Sequence, residues 1–185
     1  MDETRQQHWK TLDRFLEIRS PWFTLIGEHL QDDRQQVIDY WRVEKTDSVV
    51  ILTIHGGKLL FPMLNYRPGL GKPTLDFPGG RVGDGQTPET AARQILYKEL
   101  GVTEEAIAHL SLLNPSGWPV NSSFSNQKLY GVVAEIDPTV SVNPDLLAAT
   151  YPTTSEGIRS LLNELTCLQC RAVLLEWQSQ FILSQ

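Results

Sequence analysis

The stretch at residues 78–102, PGGRVGDGQTPETAARQILYKELGV, constrains the fold of this chain more than any other. A Gly-Gly pair is followed by a polar, glycine-rich loop, and Thr87-Pro88-Glu89 then opens a helix, with Thr as N-cap, Pro at the first position and Glu in the first turn. Ala91, Ala92, Ile95, Leu96 and Leu100 recur at helical spacing and Gly101 ends the helix. A glycine turn facing a helix N-terminus presents free backbone N–H groups and the positive end of the helix dipole, which favour phosphate. Carboxylates at i, i+3 and i+4 on such a helix share one face, where they would hold a divalent metal beside a diphosphate and prepare a water for attack. Here those three positions carry Ile95, Lys98 and Glu99.

The flanks predict a mixed sheet around this unit. Residues 8–19 mix charged and apolar side chains without a clean period, as a short helix or an extended arm would. Residues 22–26 and 37–43 alternate on either side of the polar turn QDDRQQ and predict a β-hairpin. DSVVILTI is β-branched and predicts a central strand, turning at HGG into KLLFPMLNYR. Thr74–Phe77 is a short strand between Pro/Gly-punctuated loops. HLSLLNP and KLYGVVAEI are further strands. Apolar positions from Ile158 to Trp177 predict one long helix, or two divided near Thr166. This order predicts an α+β fold, a mixed-sheet α/β/α sandwich, with residues 1–45 as arm and hairpin and 46–185 as the main domain.

Length and charge bound the function. The 185 residues are enough for one domain with an appendage. The net charge of −6 and the lack of a basic run argue against a nucleic-acid partner. No apolar run reaches membrane-spanning length and MDETRQQHWK does not read as a signal peptide, so a soluble cytoplasmic protein is expected, with no membrane partner. Cys167 and Cys170 form a C-x-x-C inside NELTCLQCRAVLLEW. No second such pair or paired His accompanies them, and a redox motif would carry Pro or Gly where Leu168 and Gln169 stand, so they read as two small apolar helix residues. His8, His29, His55 and His109 show no ligand spacing and read as structural.

The framework PGG…G…TPE…AAR…L…EL-GV resembles the box of the Nudix hydrolases, G-x5-E-x7-R-E-U-x-E-E-x-G-U with U aliphatic. Gly80 aligns with its first glycine and Gly101-Val102 with its last pair, without a gap. The flanks IDYWRVEKTDSVVIL, LNYRPGLGKPTLDFPGG and NPSGWPVNSSFSNQKLYGVVAEI resemble the ADP-ribose pyrophosphatase branch. That resemblance implies a Nudix α/β/α sandwich, a homodimer in which the N-terminal hairpin commonly swaps, a nucleoside diphosphate compound as ligand, and magnesium or manganese. It implies Glu99 as the catalytic and metal-binding acid, the Gly79 carbonyl as a second metal ligand, and Gly79, Gly80, Arg67 and Phe124 as residues around the substrate.

The departures from the box are as informative. Gln86 replaces the loop glutamate and Gln94 the helix arginine, an ion-pair brace in the family that two glutamines would rebuild through amide hydrogen bonds. Ile95 and Lys98 replace two metal-binding glutamates, so a site of two or three metals is not expected. Lys98 either stands where a metal would and pairs with a diphosphate, or points to solvent or a neighbouring acid. Ile95 reads as a residue of the buried helix face. Asp76 and Asp84 are the other acids close by in sequence, and Asp145 and Glu156 are candidates for the late-loop acid that this branch places near the attacking water. Two functions follow: pyrophosphate hydrolysis that is weak, altered or lost, or a non-catalytic nucleotide-diphosphate binder, regulator or scaffold.

Overall fold

The computed structural model describes residues 9–183, with side chains to residue 180, and so leaves His8 outside the described residues. By internal contacts the chain divides into two units, residues 1–46 with 119–127, and residues 47–118 with 128–185.

The first unit carries an antiparallel sheet of β1 (Lys10–Arg19), β2 (Thr24–Gln31) and β3 (Val37–Glu44) in that order. The arm is therefore a strand. Its pairing with β2 slips twice, between Thr11 and Asp13 and between Arg14 and Leu16, so its apolar residues do not alternate cleanly. The Phe15 ring lies 2.5 Å from where a Cβ on Gly27 would stand, so a side chain there would have to displace that exposed ring. Glu28 is buried in the middle of β2 and is held by Arg42 Nε at 2.9 Å and Arg14 Nη2 at 3.2 Å. Two guanidiniums leave its charge compensated, and they hold its carboxyl below the usual carboxylate range, hydrogen bonding to Arg42 being the largest cause. His29 is bracketed by Asp13 and Asp39 on the neighbouring strands. In the loop 119–127, Asn126 Oδ1 accepts from the Lys45 N–H at 2.9 Å.

The second unit is a mixed sheet covered on both faces. Its strands are β4 (Ser48–His55), β5 (Lys58–Pro62), β8 (Gly79–Arg81), β9 (Ile107–Leu112), β10 (Trp118–Pro119), β11 (Lys128–Ile136) and β12 (Leu147–Pro152), while β6 (Asn65–Arg67) and β7 (Lys72–Thr74) form a separate ribbon. The sheet order is β10-β11-β4-β5-β12, with β8 on β4 and β9 on β11. Only the β11–β4 pair is parallel among the described ladders. Gly56 and Gly57, both at positive φ, close the β4–β5 hairpin in two residues, as the mirror-image turn needs.

Alternation along β4 sorts the core. Val49 and Ile51 face α1 (Pro88–Leu100), with Leu60, Ala91, Ala92, Leu96, Leu100, Val132 and Ala134. Val50 and Leu52 face the other way, onto α2 (Ser155–Glu164) and α3 (Leu168–Leu183), with Phe61, Val133, Leu161, Val173 and Leu174. A strand buried on both faces needs an unbroken apolar run, which is how VVIL reads. The result is the expected α/β/α sandwich.

The differences from the sequence reading have local causes. KLLFPMLNYR is not one strand, because Pro62 has no N–H to continue the ladder and Met63 and Leu64 are exposed. The strand expected at Thr74–Phe77 ends at Thr74, because the Asp76 carboxylate turns back onto the Thr74 hydroxyl and Arg67. β12 lies in what reads as a late loop. The C-terminal helical segment is two helices, broken over Leu165–Cys167.

Helix α1 has the predicted caps: Thr87 Oγ1 accepts from the Thr90 N–H at 3.2 Å, and Gly101, at φ 67°, donates to the carbonyls of Leu96 and Tyr97. Thr87→Ala should cost about 1 kcal/mol, read by urea denaturation. Gly79→Ala should cost more, about 1–3 kcal/mol, because its Cβ would stand 2.9 Å from the Val49 carbonyl oxygen, a backbone atom of β4. Equal, negligible effects would contradict this packing.

Candidate functional site

The second unit contains a cavity of about 260 Å³ lined by Ser48, Arg67, Asp76, Gly79, Gly80, Arg81, Cys167 and Cys170, among others. Three structures converge on it. β8 delivers the Gly-Gly pair, antiparallel to β4, with Gly79 opposite Val50 and Gly80 opposite Val49. The β6–β7 ribbon delivers Arg67: its turn is closed by the N–H groups of Leu70 and Gly71 on the Arg67 carbonyl, both at 2.9 Å, with Gly71 at φ 66°. The start of α3 delivers the two cysteines.

Asp76 is the polar centre of this wall and is buried. Its Oδ2 accepts from Arg67 Nε at 2.8 Å, from Arg67 Nη2 at 2.6 Å and from the Thr74 hydroxyl at 2.8 Å. Its Oδ1 is buried without a hydrogen-bond partner, and so is the Ser48 hydroxyl oxygen. Asp76, Cys167 and Cys170 place their ligand atoms within 4.8 Å of one another, the one group of three metal-capable side chains found among the described residues.

Glu99 is half-buried on α1 and accepts a hydrogen bond from the Gly79 N–H. Burial raises its carboxyl above the ordinary value, and the Gly79 amide, Lys98 and Arg67 pull it back in part. Ile95 rests against Gly80, with Cδ1 3.0 Å from where a Cβ on that glycine would be, and packs onto the α1 side of the core. Lys98 is exposed and, like Glu99, is not among the residues lining the cavity. The two glutamines make the predicted contact: Gln86 Nε2 donates to Gln94 Oε1 at 3.1 Å, while Gln86 Oε1 accepts from the Gly83 N–H at 3.1 Å. An exposed amide pair of this kind stabilises by about 0.5–1.5 kcal/mol.

The predicted residues therefore gather only in part. Arg67, Gly79 and Gly80 line the cavity, and Glu99 meets it through Gly79. Arg67 is committed to Asp76, a partner that its distance from the box in sequence conceals. Phe124 belongs to the first unit, exposed on the loop 119–127, and is not among the lining residues. Asp145 lies in an exposed single turn and Glu156 in the exposed first turn of α2, and neither lines the cavity.

The cysteines depart from the apolar-pair reading. Cys170 is buried in the core with Val173 and Trp177, as that reading expects. Cys167 precedes α3, is half-buried and lines the cavity. The Cys170 thiol and the N–H groups of Cys170 and Gln169 at the helix start donate to its sulfur, and its thiol is pulled down to about 6. Cys170 is shifted up by its contact with Cys167 and by burial. The signal that could have found this is the position of Cys167 beside Thr166, where the helical segment divides, rather than the spacing alone.

The NUDIX domain profile matches residues 44–156. This chain is a member of the Nudix family. A solved structure described as an ADP compounds hydrolase is similar to it in fold, with a TM-score of 0.74 and 20% identity over 94% of each chain. No protein of curated function matches the sequence significantly. In Nudix terms β8, the loop 82–87 and α1 are the box. Nudix hydrolases generally use divalent metal ions.

The raised Glu99 carboxyl makes a prediction with a definite sign. Above its ordinary value of 4.5 the folded protein holds this proton more tightly than the unfolded chain. Stability contributed at Glu99 therefore falls as pH rises from 4.5 through the raised value, and stays lowered at neutral pH. Glu99→Gln should melt at or above the parent at neutral pH, with the gap closing as pH falls toward 4.5 in paired thermal melts. A gap that widens on acidification would contradict the burial of this carboxyl.

Proposed function

We propose that this chain binds a nucleoside diphosphate compound in the cavity of its second unit, and that the metal-dependent hydrolysis of its family is weak or lost. One observation carries the reading: at the three helix positions where metal ligands would gather, Ile95 packs on Gly80, Lys98 is a cation, and only Glu99 is a carboxylate, already taking the Gly79 N–H. Magnesium demands near-octahedral oxygen ligation, usually with one or two carboxylates and several waters. Glu99 and the Gly79 carbonyl are the oxygens that the family resemblance assigns to metal here, and the Lys98 charge opposes a cation there. The residues therefore do not fit a multi-metal magnesium or manganese centre, and no hydrolytic step through one is derived.

What remains suits an anion. Arg67 and Arg81 line the cavity with the Gly79-Gly80 backbone and an unpartnered Ser48 hydroxyl. At about 260 Å³ it is smaller than the roughly 300–1,000 Å³ of pockets that enclose a whole ligand, so it suits the diphosphate portion of a larger compound. The kinship in fold with an ADP compounds hydrolase supports that ligand class. Trp9 and the β1 residues Leu12 and Ile18, each 44–55% exposed, support a homodimer built on the first unit; light scattering giving twice the chain mass would agree.

The test is turnover of a panel of nucleoside diphosphate compounds, ADP-ribose included, with magnesium or manganese and a coupled phosphatase, alongside thermal shift with the same panel. The expected result is little or no monophosphate release, with a thermal shift from at least one compound in metal-free buffer. Robust turnover abolished by Glu99→Gln would establish an enzyme. Ile95→Glu combined with Lys98→Glu should raise manganese affinity by about tenfold or more, one added carboxylate pairing being worth upward of about 1.4 kcal/mol in a partly buried site. No gain by calorimetry would show that these two positions do not explain the deficit.

A further inference from the structure

We propose that Cys167, Cys170 and Asp76 form a binding site for a thiophilic divalent cation of the zinc type, with its fourth coordination position open to the cavity. A tetrahedral zinc ion, with bonds of about 2.3 Å to sulfur and about 2.0 Å to oxygen, needs ligand atoms roughly 3.3–3.8 Å apart. The three ligand atoms here already lie within 4.8 Å of one another, so closure requires a contraction of roughly 1 Å or so, within reach of side-chain rotation. A C-x-x-C at a helix start chelates naturally, since one turn brings both sulfurs to the same side.

The surroundings are built for it. Asp76 is buried, and its Oδ2 is fixed by Arg67 and Thr74 while its Oδ1 has no partner. A buried carboxylate oxygen without a donor has an unmet electrostatic demand that a bound cation would meet. Arg67 and Thr74 are then the outer contacts that orient a ligating carboxylate. The sulfurs have theirs: N–H groups of Gln169 and Cys170 face Cys167, and the N–H of Phe77 faces Cys170. A dication with two thiolates and one carboxylate carries a net charge of −1, which the Arg67 guanidinium balances. Cys167 and Asp76 both line the cavity, which leaves the fourth position to a water or to an oxygen of a bound ligand. Soft sulfur ligands select zinc-type ions over magnesium, so this site draws its ligands from outside the box and differs from it in chemistry, although both border one cavity.

The test reads the metal alone and does not depend on the nucleotide reading. Reduced, chelator-stripped full-length protein is titrated anaerobically with cobalt(II). The expected result is one equivalent bound, a near-ultraviolet sulfur-to-cobalt charge-transfer band with tetrahedral visible bands, and displacement by one equivalent of zinc but not by excess magnesium. Zinc should also protect both thiols from a disulfide reagent. Cys170 is packed in the core, so Cys170→Ser carries a folding cost; Cys167→Ser, at a half-buried position, carries the test, with circular dichroism confirming its fold. It should lose most of the charge-transfer intensity. Asp76→Asn should keep the sulfur band but bind zinc about tenfold or more weakly. No charge-transfer band in the folded parent, thiols left reactive under saturating zinc, or equal zinc affinity in folded Cys167→Ser would each overturn the proposal.

Discussion

Gly79 sits where sheet, loop and helix meet, and its backbone leaves no room for a side chain. A Cβ there would stand 2.9 Å from the Val49 carbonyl oxygen, and its N–H donates to Glu99 on α1. That close approach presses β8 onto β4 and registers the helix against the sheet. The Gly-Gly pair lies in β8 against β4, an interior strand buried on both faces. Every other feature of the cavity is arranged around this junction: Arg67 reaches in from the β6–β7 ribbon, and Asp76 enters from the segment that leads into the glycines.

The box retains its frame by other means than charge. An ion pair between loop and helix would be strong but salt-dependent. The Gln86–Gln94 pair, in which Gln86 Nε2 donates to Gln94 while Gln86 Oε1 accepts from the Gly83 N–H, is a neutral contact that orders the same loop. Ile95 lends apolar packing against Gly80 where a carboxylate would have needed a cation to offset its desolvation. Both replacements favour the fold in the absence of metal. Neither contact depends on a bound cation.

Much of this was legible in the chain. Thr87, Pro88 and Gly101 predicted α1 to the residue, because capping chemistry is local. The VVIL run predicted a doubly covered strand, because burial on both faces removes alternation. The glutamine pair was legible through the resemblance to the box, which places a loop-to-helix brace at those two positions. The arm was not, since two register slips in β1 scramble its period. Asp76 was legible as an acid near the box, but its partners were not. Its importance arises from Arg67, nine positions earlier, and from cysteines some ninety positions later, which only the packing of α3 against the sheet brings alongside. The late strand β12 was hidden because its apolar positions, Leu147, Ala149 and Tyr151, lie in a segment dominated by turn residues.

Calorimetric titration of ADP-ribose into the parent protein, in matched buffers with and without magnesium, measures most directly whether a diphosphate is held here by the protein alone. A Kd that is essentially unchanged by magnesium, with no heat of hydrolysis, is the predicted result. Binding that appears only with magnesium, followed by the sustained heat of turnover, would contradict it and place a working metal centre at Glu99.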